Sequence, residues 1–469
     1  MALIYAGKFG GLADSKYSGI EGSFYRCVGI DGHSTPGLLQ VQQKLTKDSG
    51  ATVDAFAQVA VAASNGYSFW FSSTTGKIYA RNSSGTWSLA YTTAAGAGTH
   101  GCLGAMEYNG FIYWATQSRL HRIAIADADD TWASVSLDWA TFTKTDASWH
   151  PMCIQDLTLF IGDGNLVAEV SSAGVFSANV LDLKVPLRIK TMIEYDIDIL
   201  IGTYVADTVN RTEIIRWDVV STTWNTSDSI EEVGINAFIR DDNYVYVNAG
   251  LAGNMYFYNG EQLEPFKRVP GTYSSTSYGL VHPNSVANYK GVPVFGFSNG
   301  SGNPAPEGVY SFGSYSRDYP KVLDLSWVIS QDLTSSIEVG AILVLGFDIM
   351  VAWKEGSNFG VDKIGTTKYA SAYIESRILF EEERGILKAL AEVKAMYGSL
   401  PASTGVTFSY SINGAAYVAM TDVTDSKLAA LKAQLTVPEV GSLQIKIAFD
   451  VSSNDAPTIE MIEALPTQS

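Results

Sequence analysis

A repeat of about 45 residues runs through the middle of the chain and constrains its fold more than any other feature. Each copy has a turn-prone pair of residues, followed by a run rich in Tyr, Phe, Ile and Val. These runs begin near residues 67, 111, 157, 197, 244, 292 and 347. Shorter apolar runs flank them, giving about four strand-like segments per copy. Four short strands at a regular spacing are typical of a β-propeller blade.

The repeat therefore predicts an all-β fold, with a seven-bladed β-propeller over residues 51–382. Residues 1–50 lack the pattern and are punctuated by glycines, so we predict an N-terminal extended arm with short strands. Residues 383–469 are predicted to form a C-terminal β-sandwich-like domain, with a hairpin turn at Asn413-Gly414 and a short helix over 426–435. An irregular array of two-sheet sandwiches is the alternative fold.

The composition excludes several classes of function. The 469 residues include 31 Lys and Arg against 48 Asp and Glu, for a net charge of −17. Residues 51–385 carry −15 of this, which argues against a general nucleic-acid binder with its clustered basic residues. No apolar run reaches the ~20 residues that cross a bilayer, so we expect no membrane insertion. The apolar run within residues 1–11 is too short for the core of a secretory signal. The odd count of three cysteines predicts no disulfide framework.

Two local motifs invite a functional interpretation. The segment Gly96 to Gly101 matches G-x-G-x-x-G, but a strand-like segment follows it, and Glu107 is too close to be the acidic residue of a dinucleotide site. We interpret it as a turn between blades. Asp127, Asp129 and Asp130 form an acidic turn that could hold Ca²⁺ through oxygen ligands. It lacks the Gly and the distal Glu of an EF-hand loop, so a solvated turn is favoured. A second acidic run, 381–383, is interpreted as a solvated linker.

The histidines and cysteines show no spacing typical of a metal site or a catalytic pair. The five histidines are His33, His100, His121, His150 and His282. Cys102 is near His100 and Cys153 is near His150, but neither pair has a second pair of zinc ligands. There is no G-x-S-x-G elbow, and a glycosidase pair of carboxylates cannot be located from sequence. We therefore assign no catalytic, cofactor-binding or metal-ligating residue and predict that the chain is not an enzyme.

Aromatic residues are concentrated in the strand-like runs. Most of them are predicted to be core residues, whereas an exposed stripe would form a platform for sugar binding. The residues concerned are Phe69, Trp70, Tyr113, Trp114, Tyr244, Tyr246, Tyr256, Phe257 and Tyr258.

Both ends of the chain carry motifs outside the repeat. The N-terminal segment KFGGLADSKYSGIEGSFYRCVGIDGHSTPGLLQ (8–40) has a Gly-Gly arm, a short strand and a P-G-x-L turn. The C-terminal region has an I-E-S strand at 374–376 and an LP…T…V…YS…G hairpin over 400–414. These segments resemble propeller-type structural proteins of tailed bacteriophages. The resemblance implies a strand in the second half of ILKALAEVKAM (386–396), although that segment has good helix propensity.

The resemblance implies a virion structural protein at a tail, connector or nozzle position, assembled in the cytoplasm of the host bacterium. Its expected partners are other copies of itself in a symmetric ring and neighbouring tail or connector proteins. An acidic ring could also let DNA pass without specific binding, because like charges repel. The alternative is a carbohydrate-binding or glycan-degrading propeller that recognises a host-surface glycan. A cellular scaffold propeller is a third hypothesis, disfavoured by the lack of WD-type signatures.

Overall fold

The computed structural model describes most of the chain as strands joined by short turns. The described residues are 3–6, 9–93, 101–205, 209–241, 244–271, 273, 278–299, 307–315, 318–319, 321–329, 336–378, 388–398, 400–423, 430–434 and 442–468. Within them, one 3₁₀ turn at Ile125–Asp127 interrupts the succession of strands.

Among the described residues, five strands precede the repeat. They are β1 (Leu3–Ala6), β2 (Phe24–Val28), β3 (Ile30–Asp31), β4 (Leu39–Val41) and β5 (Gln43–Lys47).

The repeat region folds into successive antiparallel units, each with its strands paired in chain order. Within the described residues, six units have four strands of their own. The first and second units are β6 (Ala57–Ala62), β7 (Ser68–Ser72), β8 (Lys77–Arg81) and β9 (Trp87–Thr92), then β10 (Gly104–Tyr108), β11 (Phe111–Ala115), β12 (Arg119–Ala124) and β13 (Ser136–Thr141). The third and fourth units are β14 (Met152–Gln155), β15 (Thr158–Asp163), β16 (Leu166–Val170) and β17 (Phe176–Asp182), then β18 (Arg188–Tyr195), β19 (Asp198–Tyr204), β20 (Thr212–Trp217) and β21 (Thr226–Ile230). The fifth and sixth units are β22 (Ile235–Asp241), β23 (Tyr244–Ala249), β24 (Asn254–Tyr258) and β25 (Leu263–Arg268), then β26 (Gly279–Tyr289), β27 (Val292–Asn299), β28 (Gly308–Gly313) and β29 (Val322–Trp327).

The seventh unit takes its fourth strand from the beginning of the chain. It comprises β30 (Ile337–Leu345), β31 (Asp348–Glu355) and β32 (Asn358–Lys368), and β5 then pairs antiparallel with β32. The first strand of each unit contacts the first strand of the next, and β30 contacts β6, so the described units form a closed ring. The predicted all-β propeller class is thereby confirmed.

Eight strands follow the ring in the described part of the C-terminal region. They are β33 (Tyr373–Ser376), β34 (Lys388–Tyr397), β35 (Gly405–Ile412), β36 (Val418–Ala419), β37 (Thr421–Val423), β38 (Ala430–Gln434), β39 (Leu443–Asp450) and β40 (Thr458–Gln468).

The terminal strands form two sheets over a shared core. One sheet continues outward from the sixth unit in the order β26-β27-β28-β29-β2-β33-β39-β35-β36, with β2 parallel to β29. The other has the order β3-β4-β40-β34-β38-β37, and β1 also pairs with β40. Apolar residues from both sheets, such as Phe408 and Ile459, are buried in one cluster with residues of the sixth unit. The predicted sandwich is therefore joined to the propeller by a continuous nine-stranded sheet.

Close packing between units depends on glycine where two backbones meet. A Cβ built on Gly104 would lie 1.8 Å from the carbonyl oxygen of His150, which belongs to the connection entering the third unit. At the closure of the ring, a Cβ on Gly340 would lie 2.2 Å from the carbonyl oxygen of Ala57. Real side chains cannot approach so closely, so these positions require glycine.

Local turn chemistry behaves as the sequence predicts. Asn109 and Gly110 both have positive φ in the two-residue turn between β10 and β11, and Asn413 and Gly414 do the same after β35. Such turns match the right-handed twist of the strands they connect. In the repeat units the second strand is largely buried on both faces, as in the wholly buried β7.

Three terminal segments differ from the simplest sequence expectations. The helix predicted over 426–435 is wrong for its described part, because Ala430–Gln434 is a strand paired with β34. The strand implied by the resemblance within 386–396 is confirmed as part of β34. β5 belongs to the seventh unit by hydrogen bonding although it lies within the predicted arm, 1–50. The domain boundaries at 50/51 and 382/383 stay a prediction.

Candidate functional site

Polar residues at the start of four successive first strands converge near the axis of the ring. Lys190 on β18, Asn236 on β22, His282 on β26 and Glu338 on β30 each follow an apolar residue that packs into the sheet. Together they line a cavity of about 280 Å³, which we call the axial pocket. Its remaining lining residues are Tyr204, Val233, Leu251, Tyr278, Leu280 and Ser298.

The pocket lies on one definable face of the propeller. In an antiparallel unit, the beginning of the first strand is adjacent to the end of the second, as the pairing of Arg188 with Tyr204 shows. The lining residues all come from the beginnings of first strands, the ends of second strands and the loops next to them. We call this side of the propeller the front face. The opposite side, which carries the turns between first and second strands, is the rear face.

β-Bulges direct three of the polar side chains toward the axis. In β18 the pairing shifts at Lys190, and in β22 it shifts at Asn236. In β26 the four residues 282–285 lie opposite the single residue Gly296. A bulge leaves its extra residue out of the ladder and re-aims the side chain, so a polar group can leave an otherwise apolar strand.

A hydrogen-bond network fixes one side of the pocket. The Asn236 amide nitrogen donates to Asn248 Oδ1 at 2.9 Å and to the carbonyl oxygen of Gly250 at 2.7 Å. These two acceptors require the amide NH₂, so Asn236 Oδ1 must be directed elsewhere. It accepts a hydrogen bond of 2.7 Å from Lys190 Nζ. The buried amide thereby orients the ammonium group at the pocket wall.

An ion pair fixes the other side. Lys354 on β31 is directly opposite Glu338 on β30, and its Nζ lies 2.6 Å from Glu338 Oε1. About a third of each side chain is exposed, so the pair borders solvent rather than the core. The Lys354 ammonium also lies 5.8 Å from the ring centre of Phe56.

His282 lies between these two sides and remains neutral at pH 7. Burial lowers its pKa to about 4, the ammonium groups of Lys190 and Lys354 act in the same direction, and Glu338 opposes them. The imidazole contacts the rings of Phe56 and Trp149, whose centres are 6.3 and 6.1 Å away. Phe56 precedes β6 and Trp149 precedes β14, so residues from three units meet across the axis. His282 thus links the axial pocket, which it lines, to this aromatic contact.

The other described histidines have structural partners. His121 accepts a hydrogen bond from the Asp138 backbone, His150 stacks on Phe142 at 4.2 Å, and His33 bonds to Ser311. Burial lowers the pKa of each to about 4. His100 lies outside the described residues.

The three cysteines form no disulfide bond and are buried, and each thiol remains protonated at neutral pH. Burial raises the pKa of Cys102 to about 12 and also raises the pKa values of Cys27 and Cys153. A thiol that remains protonated packs as a small apolar group. Cys153 lies within β14, and Cys102 lies two residues before β10.

The acidic motif is a surface turn in the second unit. Asp127 and Asp129 are exposed, Asp129 Oδ1 accepts a hydrogen bond from the backbone of Thr131, and Asp130 accepts one from Ser88. Within the described ranges, no group of three or more His, Cys, Asp or Glu side chains is arranged to hold a metal ion. The acidic run 381–383 and all of the Gly-rich motif except Gly101 lie outside the described residues.

Most of the aromatic runs are core, as predicted. Trp70, Tyr113 and Trp114 are almost fully buried, whereas Tyr244 is 48% exposed on the rear face. The aromatic residues near the axial pocket come from strand ends and connections that sequence reasoning did not select. A usable signal was present, because an apolar residue followed by a polar one recurs at 189–190, 235–236, 281–282 and 337–338.

The topology and the axial pocket define the chain as an all-β propeller with an appended sandwich. No known protein-family profile matches it, and no curated protein matches it in sequence. Among the residues that the structure describes, no helix is long and apolar enough to cross a membrane.

Several solved structures have a similar fold at low sequence identity. One is the extracellular domain of a one-component-system protein from B. thetaiotaomicron, with 13% identity and a TM-score of 0.46 over 83% of this chain and 48% of that one. Another is a virginiamycin B lyase from Staphylococcus aureus, with 10% identity and a TM-score of 0.45 over 68% and 98% of the two chains.

The Dos1 propeller is also similar, with 10% identity and a TM-score of 0.45 over 70% and 96% of the two chains. The present chain spans about half the length of the B. thetaiotaomicron chain. Because one of these propellers is a lyase and the others are not described as enzymes, the similarity concerns the fold and does not assign an activity.

Proposed function

We propose that the chain is a structural subunit of a tailed-phage virion, in a tail, connector or nozzle ring. The supporting observation is the nine-stranded sheet that runs without interruption from the sixth unit through β2 and β33 to β36. Such a sheet holds the sandwich at a fixed angle to the propeller. A ring of identical subunits closes only when each contact repeats the same rotation, so rigidity between two contact-bearing parts suits this role.

The sequence resemblance at both ends supports the same proposal. The residues that carry it include the I-E-S strand β33 and the Gly-Gly segment at residues 10–11. Leu12, next to that segment, donates a backbone hydrogen bond to Leu323 of the sixth unit. The resembling segments are thus those that connect the propeller to the sandwich.

DNA would pass through a ring of subunits rather than through a single propeller. Phe56, Trp149 and His282 meet across the propeller axis, so a duplex has no path along it. The net charge of −15 over residues 51–385 would repel phosphates from a conduit between subunits.

Location in a particle tests the structural role. An epitope inserted after Gly356, in the exposed turn between β31 and β32, provides a label that leaves the strands intact. We expect gold-labelled antibody at one fixed position on purified virions and rings of the purified protein in negative-stain images. A purified protein that stays monomeric at every concentration, together with unlabelled virions, would refute the proposal.

A second candidate function is recognition of a bacterial surface glycan. It is favoured by the axial pocket, where Tyr204, Tyr278 and Leu280 surround the polar groups of Lys190 and Glu338. Sugar sites combine apolar or aromatic walls with a few fixed polar groups. A glycan array probed with the wild-type protein and with Glu338→Gln tests it. Binding that the variant loses supports the candidate, and a uniformly negative array rejects it.

A further inference from the structure

We propose that the axial pocket binds a small acidic sugar, a monosaccharide that bears a carboxylate, with Lys190 as the partner of that carboxylate. The inference rests on the second proposed function, glycan recognition, and specifies the ligand class of that site. It is independent of whether the subunit also builds a virion ring.

The first argument concerns the place of the carboxylate. Lys190 is half-buried at the pocket wall, and its ammonium is held 2.7 Å from Asn236 Oδ1. Asn236 is itself 1% exposed and fixed by Asn248 and Gly250, so the ammonium has a defined position before any ligand arrives. Pre-positioned cations bind carboxylates with short, charge-assisted hydrogen bonds.

The second argument concerns the hydroxyl groups of a sugar. Glu338 offers carboxylate oxygens to the pocket while its Oε1 is held 2.6 Å from Lys354 Nζ. A carboxylate has about four acceptor sites, so one ion pair leaves capacity for sugar hydroxyl donors. The ion pair also fixes the direction in which those acceptors are presented.

The third argument concerns size and shape. A cavity of about 280 Å³ is just below the ~300 Å³ at which pockets for larger organic ligands begin. It therefore accommodates one sugar ring better than an oligosaccharide. Tyr204, Tyr278 and Leu280 supply apolar surface for the ring.

The fourth argument concerns charge and favours an acidic sugar over a neutral one. The charged groups that act on His282 are the ammoniums of Lys190 and Lys354 and the carboxylate of Glu338. Cations therefore outnumber anions around this ring, in a protein whose net charge is −17. A ligand carboxylate would add the missing negative charge and would make protonation of His282 easier.

Calorimetric titration of the full chain with D-glucuronate tests the inference, with D-glucose and inorganic phosphate as comparison ligands. The variants are Lys190→Met and, as a matched control, Lys290→Met, since Lys290 is exposed in a rear-face turn. We expect D-glucuronate to bind the wild type and the control equally. Loss of one charge-assisted hydrogen bond should weaken binding to Lys190→Met by roughly 10- to 100-fold.

A second readout needs no variant. NMR titration of the His282 imidazole should show its pKa rising from about 4 when D-glucuronate is added, and staying there when D-glucose is added. This result would support the inference even if Lys190→Met failed to fold.

Each remaining outcome overturns the inference in a distinguishable way. Equal binding of D-glucose and D-glucuronate would refute the acidic class while leaving glycan recognition intact. Phosphate that binds as tightly as D-glucuronate would identify a plain anion site. Absence of binding by all three would refute the ligand class, and the glycan array would then decide separately on the second proposed function.

Discussion

Tyr315 donates its phenolic hydrogen to Oδ2 of Asp324, inside the sheet that joins the sixth unit to the terminal strands. Both residues are buried, and Oδ1 of Asp324 has no hydrogen-bond partner among the described residues. Burial raises the pKa of Asp324 to about 7, and the hydrogen bond from Tyr315 opposes that shift. The junction between propeller and sandwich therefore contains an acid that stays protonated well above its usual range.

Asp324→Asn should make stability rise more steeply with pH than it does in the wild type. Because the folded state holds this proton more tightly than the unfolded chain, the stabilisation is complete below about pH 4 and is lost as pH rises to about 7. The neutral amide cannot lose a proton, so the variant lacks this loss, and its urea-unfolding midpoint should rise more than that of the wild type across this window. Exposed Asp156→Asn is the matched control. Parallel profiles for Asp324→Asn and wild type would contradict the prediction.

Acid should destabilise the protein through its buried and half-buried histidines. The pKa values of His33, His121, His150 and His282 are each lowered to about 4 by burial. The unfolded chain therefore binds more protons between about pH 6.5 and 4, and stability falls as pH falls through that window.

His150→Gln should lessen this acid sensitivity. It removes one of the four groups, so its melting temperature should fall less from pH 7 to pH 5 than that of the wild type. Asp163, whose pKa is raised to about 6, and Asp324 give the opposite slope but are fewer. A variant as acid-sensitive as the wild type would show that His150 does not contribute.

Leu45→Ala should weaken closure of the ring. Leu45 on β5 is 1% exposed and packs in a cluster with Trp353 and Ile337 of the seventh unit. Truncating a buried leucine removes apolar contacts and leaves a cavity, which costs about 2–5 kcal/mol. Lys44→Ala, at an exposed position of the same strand, should change stability by less than about 0.5 kcal/mol. Urea unfolding measures both, and equal effects would argue against closure by β5.

Gly104→Ala should disturb the contact between the second and third units. The added Cβ would lie 1.8 Å from the His150 carbonyl oxygen, so the two backbones must separate. We expect a loss of more than about 2 kcal/mol, at the upper end of overpacking effects. Gly398→Ala is the control, because its Cβ would have no atom within 4 Å. Thermal unfolding measures both variants. Equal melting temperatures for Gly104→Ala and Gly398→Ala would show that the two units can separate at little cost in stability.

The repeat and its turns were predictable because their signals are local. Asn109-Gly110 specifies its hairpin within four residues, and the buried strand after it is a continuous apolar run. The strand at Ala430–Gln434 was missed for the converse reason. Its alanines, leucine and lysine have good helix propensity, but pairing with β34 overrides that preference.

The axial pocket and the closing strand depend on distant residues. Leu45 pairs with Ile364, more than 300 positions away, and nothing in QKLTK identifies that partner. Lys190 and Glu338 look like ordinary surface residues in sequence. The order of units around the ring brings them to one cavity. Bulges in β18 and β22, and a longer bulge in β26, also contribute to this placement.

The pairing of first strands with last strands has a consequence for synthesis on the ribosome. β1 and β4 pair with β40, β2 pairs with β33, and β5 pairs with β32. These strands must therefore wait for partners that are synthesised more than 300 residues later. A product that terminates early keeps open edges in both the ring and the sandwich, where chaperones and proteases can recognise it. The fold thus makes synthesis through β40 a condition of a closed molecule.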